Sequence, residues 1–125
     1  MEIPQKIDIL RRKNSYRGLL TLLLEVEVAQ LRRRFVRKFL DMHILRYIRE
    51  RPSWGYEIIL RLGRDYGVKV GYGVIYPMLG SLERKGLIEG KVEVKGGRRR
   101  KVYRITQSGI KLLQAFQKML RQQFG

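Results

Sequence analysis

The stretch Gly71–Gly86, GYGVIYPMLGSLERKG, constrains this chain more than any other. Ile75, Leu79 and Leu82, with Met78 beside them, recur at spacings of three and four, the period of one face of an α-helix. That face has to be buried against a core. The opposite side carries Tyr72, Gly73, Tyr76, Gly80 and Arg84. Small residues there let a backbone come close, and the tyrosines and the arginine supply hydrogen-bond donors. The result is a ledge, anchored on one side and presented on the other. Pro77 falls early in it. Its missing N–H would have bonded to Gly73, near the end of the helix where the loss costs least. Gly86 supplies the stop. A basic ribbon, Lys91–Arg104, follows at once.

The rest of the composition says what such a ledge could serve. A chain of 125 residues with 44% hydrophobic content builds one domain, or one small domain with helical extensions. Its 28 Lys and Arg against 11 Asp and Glu leave a formal charge of +17. An excess of that size calls for a polyanion, nucleic acid first and an anionic membrane surface second. Cysteine is absent, which excludes disulfides, thiolate chemistry and Cys-ligated zinc. His43 is the only histidine, so one chain cannot build a paired-His metal site or a Ser/His/Asp triad. Set among Met42, Ile44 and Leu45, it reads as a packing residue. Acidic residues are scattered, and no Gly-rich phosphate loop with its lysine occurs. No cofactor is expected, and no enzyme. The longest apolar run, Gly18–Leu24, is ended by Glu25 and Glu27, far short of the roughly 20 residues a bilayer span needs. Met1–Leu10 alternates polar and apolar residues and contains Pro4, unlike a secretory signal. The expectation is a cytoplasmic, nucleoid-associated protein with no membrane partner.

Taken in order, Met1–Asn14 reads as a basic arm with the cluster Arg11-Arg12-Lys13. Ser15 is placed to cap a helix over Ser15–Leu31. Leu19, Leu23 and Val26 share one face of it, and Leu20, Leu24 and Leu31 another. A helix on a monomer's surface needs one apolar stripe; the surplus points to a second chain. The alternation Leu24–Val28 keeps a strand open as the other reading. Arg32–Arg51 repeats Phe35, Phe39, Met42, Leu45 and Ile48 at helical spacing and ends before Pro52. Its eight cations include Arg33, Arg34, Arg37 and Lys38, which either touch phosphates or snorkel on a solvated face. Ser53 then caps a helix over Trp54–Asp65, with Tyr56, Ile59 and Leu60 facing the core, Leu62 a further candidate, and Gly63 and Gly67 marking the end. Val68–Val70 reads as a short strand. Leu87–Val94 and Lys101–Ile105 read as a hairpin turned at Lys95-Gly96-Gly97-Arg98. Thr106 caps a last helix, Gln107–Gln123, with Ile110, Leu113, Phe116 and Leu120 in one stripe and Leu112 and Met119 in a second. The divisions are an arm over 1–14, an N-terminal helix over 15–34, a central domain over 35–106 and a terminal helix over 107–125.

The order is four helices, a hairpin and a helix. It predicts a mainly α protein with a small antiparallel β-hairpin, the winged helix-turn-helix. The runs Trp54-Gly55-Tyr56-Glu57-Ile58, Gly73-Val74-Ile75-Tyr76-Pro77-Met78-Leu79 and Leu82-Glu83-Arg84-Lys85-Gly86-Leu87-Ile88 are similar to the PadR family of transcriptional regulators, as are the basic run Arg98–Arg104, the pair Ile105-Thr106 and Gly109. Gly-x-x-Tyr-Pro-x-Leu is the most distinctive piece, and the likeness covers about Phe35–Leu113.

The resemblance implies a DNA-binding regulator, a repressor, working as a homodimer on double-stranded DNA. It implies that Tyr76 and its neighbours face the major groove, against the alternative that Tyr76 and Pro77 pack beneath the wing. The recognition set is then Tyr72, Gly73, Val74, Tyr76, Pro77 and Arg84. Lys95, Arg98, Arg99, Arg100 and Lys101 on the wing suit a minor groove or flanking phosphates, since consecutive cations repel unless something negative is near. The dimer would use Leu19, Leu23 and Val26 with Ile110, Leu113, Phe116 and Leu120. It would set two recognition helices about 34 Å apart. The thin set of base readers keeps a second reading open, a sequence-tolerant architectural DNA binder. A small-molecule effector is left open, and any pocket for one would have to form between two copies.

Overall fold

The computed structural model describes residues 16–125, so the arm expected over 1–14 and the cap expected at Ser15 lie outside the described residues. The chain divides at Phe35/Val36 into two units. Tyr16–Lys38 is one helix, α1, which settles the alternation at Leu24–Val28 in favour of helix. Within it Leu19, Leu20, Leu23, Leu24, Val26, Val28 and Leu31 are all exposed. No helix of the described residues is long and apolar enough to cross a membrane.

The helix break expected between Leu31 and Arg32 comes instead at Phe39, whose backbone leaves the helical region. Phe39 offers one carbonyl to two donors of the next helix, the His43 N–H at 3.1 Å and the His43 ring at 2.9 Å. Leu40–Glu50 forms that helix, α2. Ile44, Leu45, Tyr47 and Ile48 on it are sealed from solvent. Ser53–Trp54 is a two-residue strand, β1, not read from the sequence. Gly55–Tyr66 is α3, with Trp54 at its cap position in place of Ser53. The Ser53 hydroxyl instead donates to the Arg51 carbonyl. The core face of α3 also differs from the expected one: Ile58 and Leu62 are buried, whereas Tyr56 and Leu60 are exposed and Ile59 is half-buried. Val68–Val70 forms no strand; it is part of the turn into the next helix, with Val68 buried.

Tyr72–Arg84 forms α4, with Ile75, Leu79 and Leu82 buried as its period required. It closes at Gly86 (φ 74°), where the Leu87 N–H reaches the Leu82 carbonyl at 3.0 Å. Ile88–Lys95 (β2) and Arg98–Ile105 (β3) pair antiparallel. Their turn is two residues long: Gly96 (φ 60°) and Gly97 (φ 76°) both take the left-handed conformation that a tight hairpin demands. β1 adds to the outer edge of β3, giving the order β1-β3-β2. Gln107–Phe124 is α5, which packs on α2, with the Phe39 and Phe116 rings 5.1 Å apart.

Thr106 works through both functions of its hydroxyl. It accepts from the Gly109 N–H at 3.1 Å, capping α5, and donates to the Gly86 carbonyl at 2.7 Å, tying the end of α4 to the start of α5. Thr106→Ala should therefore cost about 1.5 kcal/mol, in the upper range for a helix cap. Thermal unfolding reads this directly, and an unchanged midpoint would mean the cap is replaceable by water.

The seam between α2 and α3 is polar. The Tyr47 ring, fully buried, lies under the Arg61 guanidinium at 3.9 Å and donates its hydroxyl to Asp65 at 2.7 Å. Arg61 is itself buried and pairs with Glu50, which also accepts from Arg46 at 2.8 Å. Arg46 reaches on to the Tyr66 hydroxyl, also at 2.8 Å. Burial and the bond to Asp65 raise the Tyr47 phenol, and that same bond holds the Asp65 carboxyl below its usual range. His43 stands edge-on to Tyr66 at 5.5 Å. Burial lowers its imidazole pKa, against the Phe39 carbonyl that raises it; Arg46 lowers it further and Asp41 opposes.

A histidine depressed in the fold takes its proton first in the unfolded chain. Its contribution to stability is complete above the ordinary imidazole value of 6.5 and is lost as pH falls through that value toward the lower, folded one. Urea midpoints should decline on acidification through this window, and His43→Gln should flatten the decline. The Asp65 contribution is lost only lower, in the carboxylate range.

Candidate nucleic-acid interface

α4 presents to solvent the side opposite its buried stripe. Tyr72, Gly73, Val74, Tyr76, Pro77 and Arg84 are all exposed. Spacing by four puts Tyr72 and Tyr76 one turn apart, and their rings stack, centroids 5.6 Å apart and planes within 17°. Arg84 lies at the far end of the same helix, its guanidinium alongside Gly80. The helix thus offers an exposed surface with two aromatic planes at its N-terminal end.

One side chain of this helix bonds both strands of the wing. Glu83, in the last turn of α4, accepts from Lys101 Nζ at 2.9 Å and from the Gly90 N–H at 3.1 Å. It therefore holds both strands of the hairpin. The bond to Lys101 keeps the Glu83 carboxyl below its ordinary value and raises the Lys101 ammonium in turn.

The wing cations do not act as one patch. Neighbouring strand residues point to opposite faces, so Arg98 and Arg100 lie on one side and Arg99 and Lys101 on the other. Two are paired within the protein, and a third is held against a ring with its Nε buried and unbonded. Arg100 stacks on Trp54 at 4.0 Å and is half-buried, Lys101 pairs with Glu83, and Arg104 pairs with Glu93 at 2.9 Å. Glu83 and Glu93 are the negative groups set among these cations; Glu93 stands across from Arg100 in the strand register but bonds Arg104. Lys95, Arg98 and Arg99 remain exposed at the tip, with no acidic partner among the described residues. Lys91, on β2, is exposed in the same way.

The expected flanking set lies on α1, where Arg34, Arg37 and Lys38 are exposed and Arg33 is half-buried. Arg33 and Arg34 belong to the N-terminal unit. Of the expected dimer residues, Leu19, Leu23 and Val26 are exposed, and Ile110, Phe116 and Leu120 are half-buried. Leu113 is corrected: only 2% exposed, it is part of its own protomer's core and has no surface to offer.

Sequence reasoning missed β1, the role of Glu83 and the Trp54–Arg100 stack. A charged residue three positions before a helix stop gives no sign of its partner. The sequence also tied any pocket to a second copy. A single protomer nonetheless has an open apolar groove of about 480 Å³ lined by Ile59, Leu60, Val68 and Val70, with Arg64 and Lys69 on it.

The sequence profile of the transcriptional regulator PadR-like family matches residues 44–115. The transcriptional regulator Rv3488 of Mycobacterium tuberculosis is 36% identical over 77 residues, 62% of this chain and 71% of that one. Among solved structures, a PadR-like transcriptional regulator of Bacillus cereus superposes with a TM-score of 0.64 at 30% identity, over 71% of this chain and 87% of its own. A PadR family transcriptional regulator of Eggerthella lenta does so with 0.62 at 28%, over 82% and 87%. The matched profile runs through α2, α3, α4 and the wing. With its helices, its three-stranded sheet and its exposed α4, the chain belongs to the PadR-like family of transcriptional regulators, DNA-binding proteins rather than enzymes.

Proposed function

We propose that the protein is a homodimeric repressor that reads duplex DNA with α4 in the major groove and the wing tip on the minor groove and its phosphates. One observation carries this reading. An exposed helix with a stacked tyrosine pair is clamped by Glu83 to a hairpin whose tip cations have no acidic partner among the described residues. The tip, Lys95, Arg98 and Arg99, supplies attraction that is blind to sequence; Tyr72, Val74 and Tyr76 supply contact with base edges. Arg37 and Lys38 add phosphate contacts. The working domain is 35–106, with α1 and α5 as dimer handles. The exposed leucines of α1 and the half-buried Ile110, Phe116 and Leu120 support a second copy as the cover. In the cell such a protein resides on the nucleoid.

Selection from random duplexes at moderate salt tests the reading. The expected product is a palindrome with half-sites about one helical turn apart. Recovery of duplexes with no shared motif would favour the architectural binder, which the small number of base-reading side chains also fits.

A further inference from the structure

Tyr76 is at the centre of the exposed face of α4, yet only 43% of it is exposed. Its ring end rests on the first residue of α3. A Cβ placed on Gly55 would lie 2.9 Å from both Cζ and Oη of Tyr76 and 3.0 Å from Cε1. Carbon atoms in contact sit about 3.5–4.0 Å apart, so no side chain fits there while Tyr76 stays where it is. The backbone does not explain the glycine. Gly55 is not among the positive-φ glycines, and outside its chain neighbours and its own helix backbone the three atoms nearest such a Cβ all belong to Tyr76. Alanine would suit a helix position better than glycine does. What requires a bare Cα at position 55 is the phenol of Tyr76.

We propose that Gly55 is a positioning residue for DNA readout. Its missing side chain forms the seat that fixes the Tyr76 ring, and through the stacked pair Tyr72, in the orientation that meets base edges. This rests on the DNA-reading role given to α4 above. A methyl group at position 55 meets only the far end of a side chain, which can swing aside. The fold therefore survives Gly55→Ala while the tyrosine pair loses its set orientation, and discrimination between duplexes falls.

The test is a double-variant cycle on the full chain. Affinity is measured for a duplex recovered by site selection and for a shuffled duplex of the same composition. Gly55→Ala should lower the ratio of the two affinities about tenfold, the scale of one good base contact. Tyr76→Ala should lower it similarly. The double variant should do no worse than Tyr76→Ala alone, because the seat is of no use without its occupant. The double variant also relieves the crowding, so it folds even where Gly55→Ala alone does not. Additive losses would overturn the proposal, as would an unchanged ratio for Gly55→Ala. A wild-type ratio of one would overturn the DNA-reading role itself, and the proposal with it.

Discussion

Replacing Lys95, Arg98 and Arg99 together by alanine should flatten the salt dependence of DNA binding more than any other triple change in the wing. Each phosphate contact contributes about 0.9 to the slope of log affinity against log salt, so the loss is about 2.7 per protomer. At moderate salt the affinity itself should fall by about two orders of magnitude. The three tip residues are exposed and lack acidic partners among the described residues, so their charge is available to DNA. Arg100→Ala makes the contrast. Its guanidinium lies over Trp54, half-buried, and removing it should change the slope by less than about one. Fluorescence anisotropy across a salt series separates the two. Equal slopes for the triple variant and the wild type would remove the wing tip from the interface.

The second large effect concerns the fold. Glu50→Ala should destabilise the protein by about 2 kcal/mol, below the usual cost of breaking a buried ion pair because Glu50 is half exposed while Arg61 is not. The cost arises on the partner, since the substitution leaves a guanidinium charge in a buried site whose Nε already lacks a hydrogen-bond partner. Arg61→Met should stay within about 1 kcal/mol of the wild type, because it withdraws the charge along with the need to satisfy it. Tyr47 would lose the nearer of the two cations over its ring but keep Arg46 at 4.8 Å and its bond to Asp65. Chemical denaturation of both variants decides the matter. If the methionine variant is the weaker of the two, the pair is a net source of stability.

Much of this architecture could be read from the period of apolar residues alone. Ile75, Leu79 and Leu82 named the buried face of α4 because nothing charged interrupts them. The same logic failed on α3, where the buried stripe runs Gly55, Ile58, Arg61, Leu62 and includes a glycine and a cation. A buried arginine looks like a surface residue until its partner on α2 is known. Leu60, in a contiguous apolar run, looked like core and is exposed. The wing shows the same limit. Composition showed a cluster of cations, but only strand pairing tells that Arg100 stands across from Glu93 while Lys101 turns toward Glu83. The tyrosines were legible as a pair one turn apart, and the glycine that seats one of them was not, because its reason lies in another helix.

The grip of Glu83 on both Lys101 and Gly90 has a consequence for the operator itself. It sets the distance between α4 and the two wing strands before any duplex arrives. In the complex proposed above the adaptable member is then the DNA, whose groove width and bendability between the two contacts would have to match that spacing. Base pairs in this interval should then be selected for their mechanics, with flexible pyrimidine–purine steps or a narrow A-tract favoured at positions that no side chain touches.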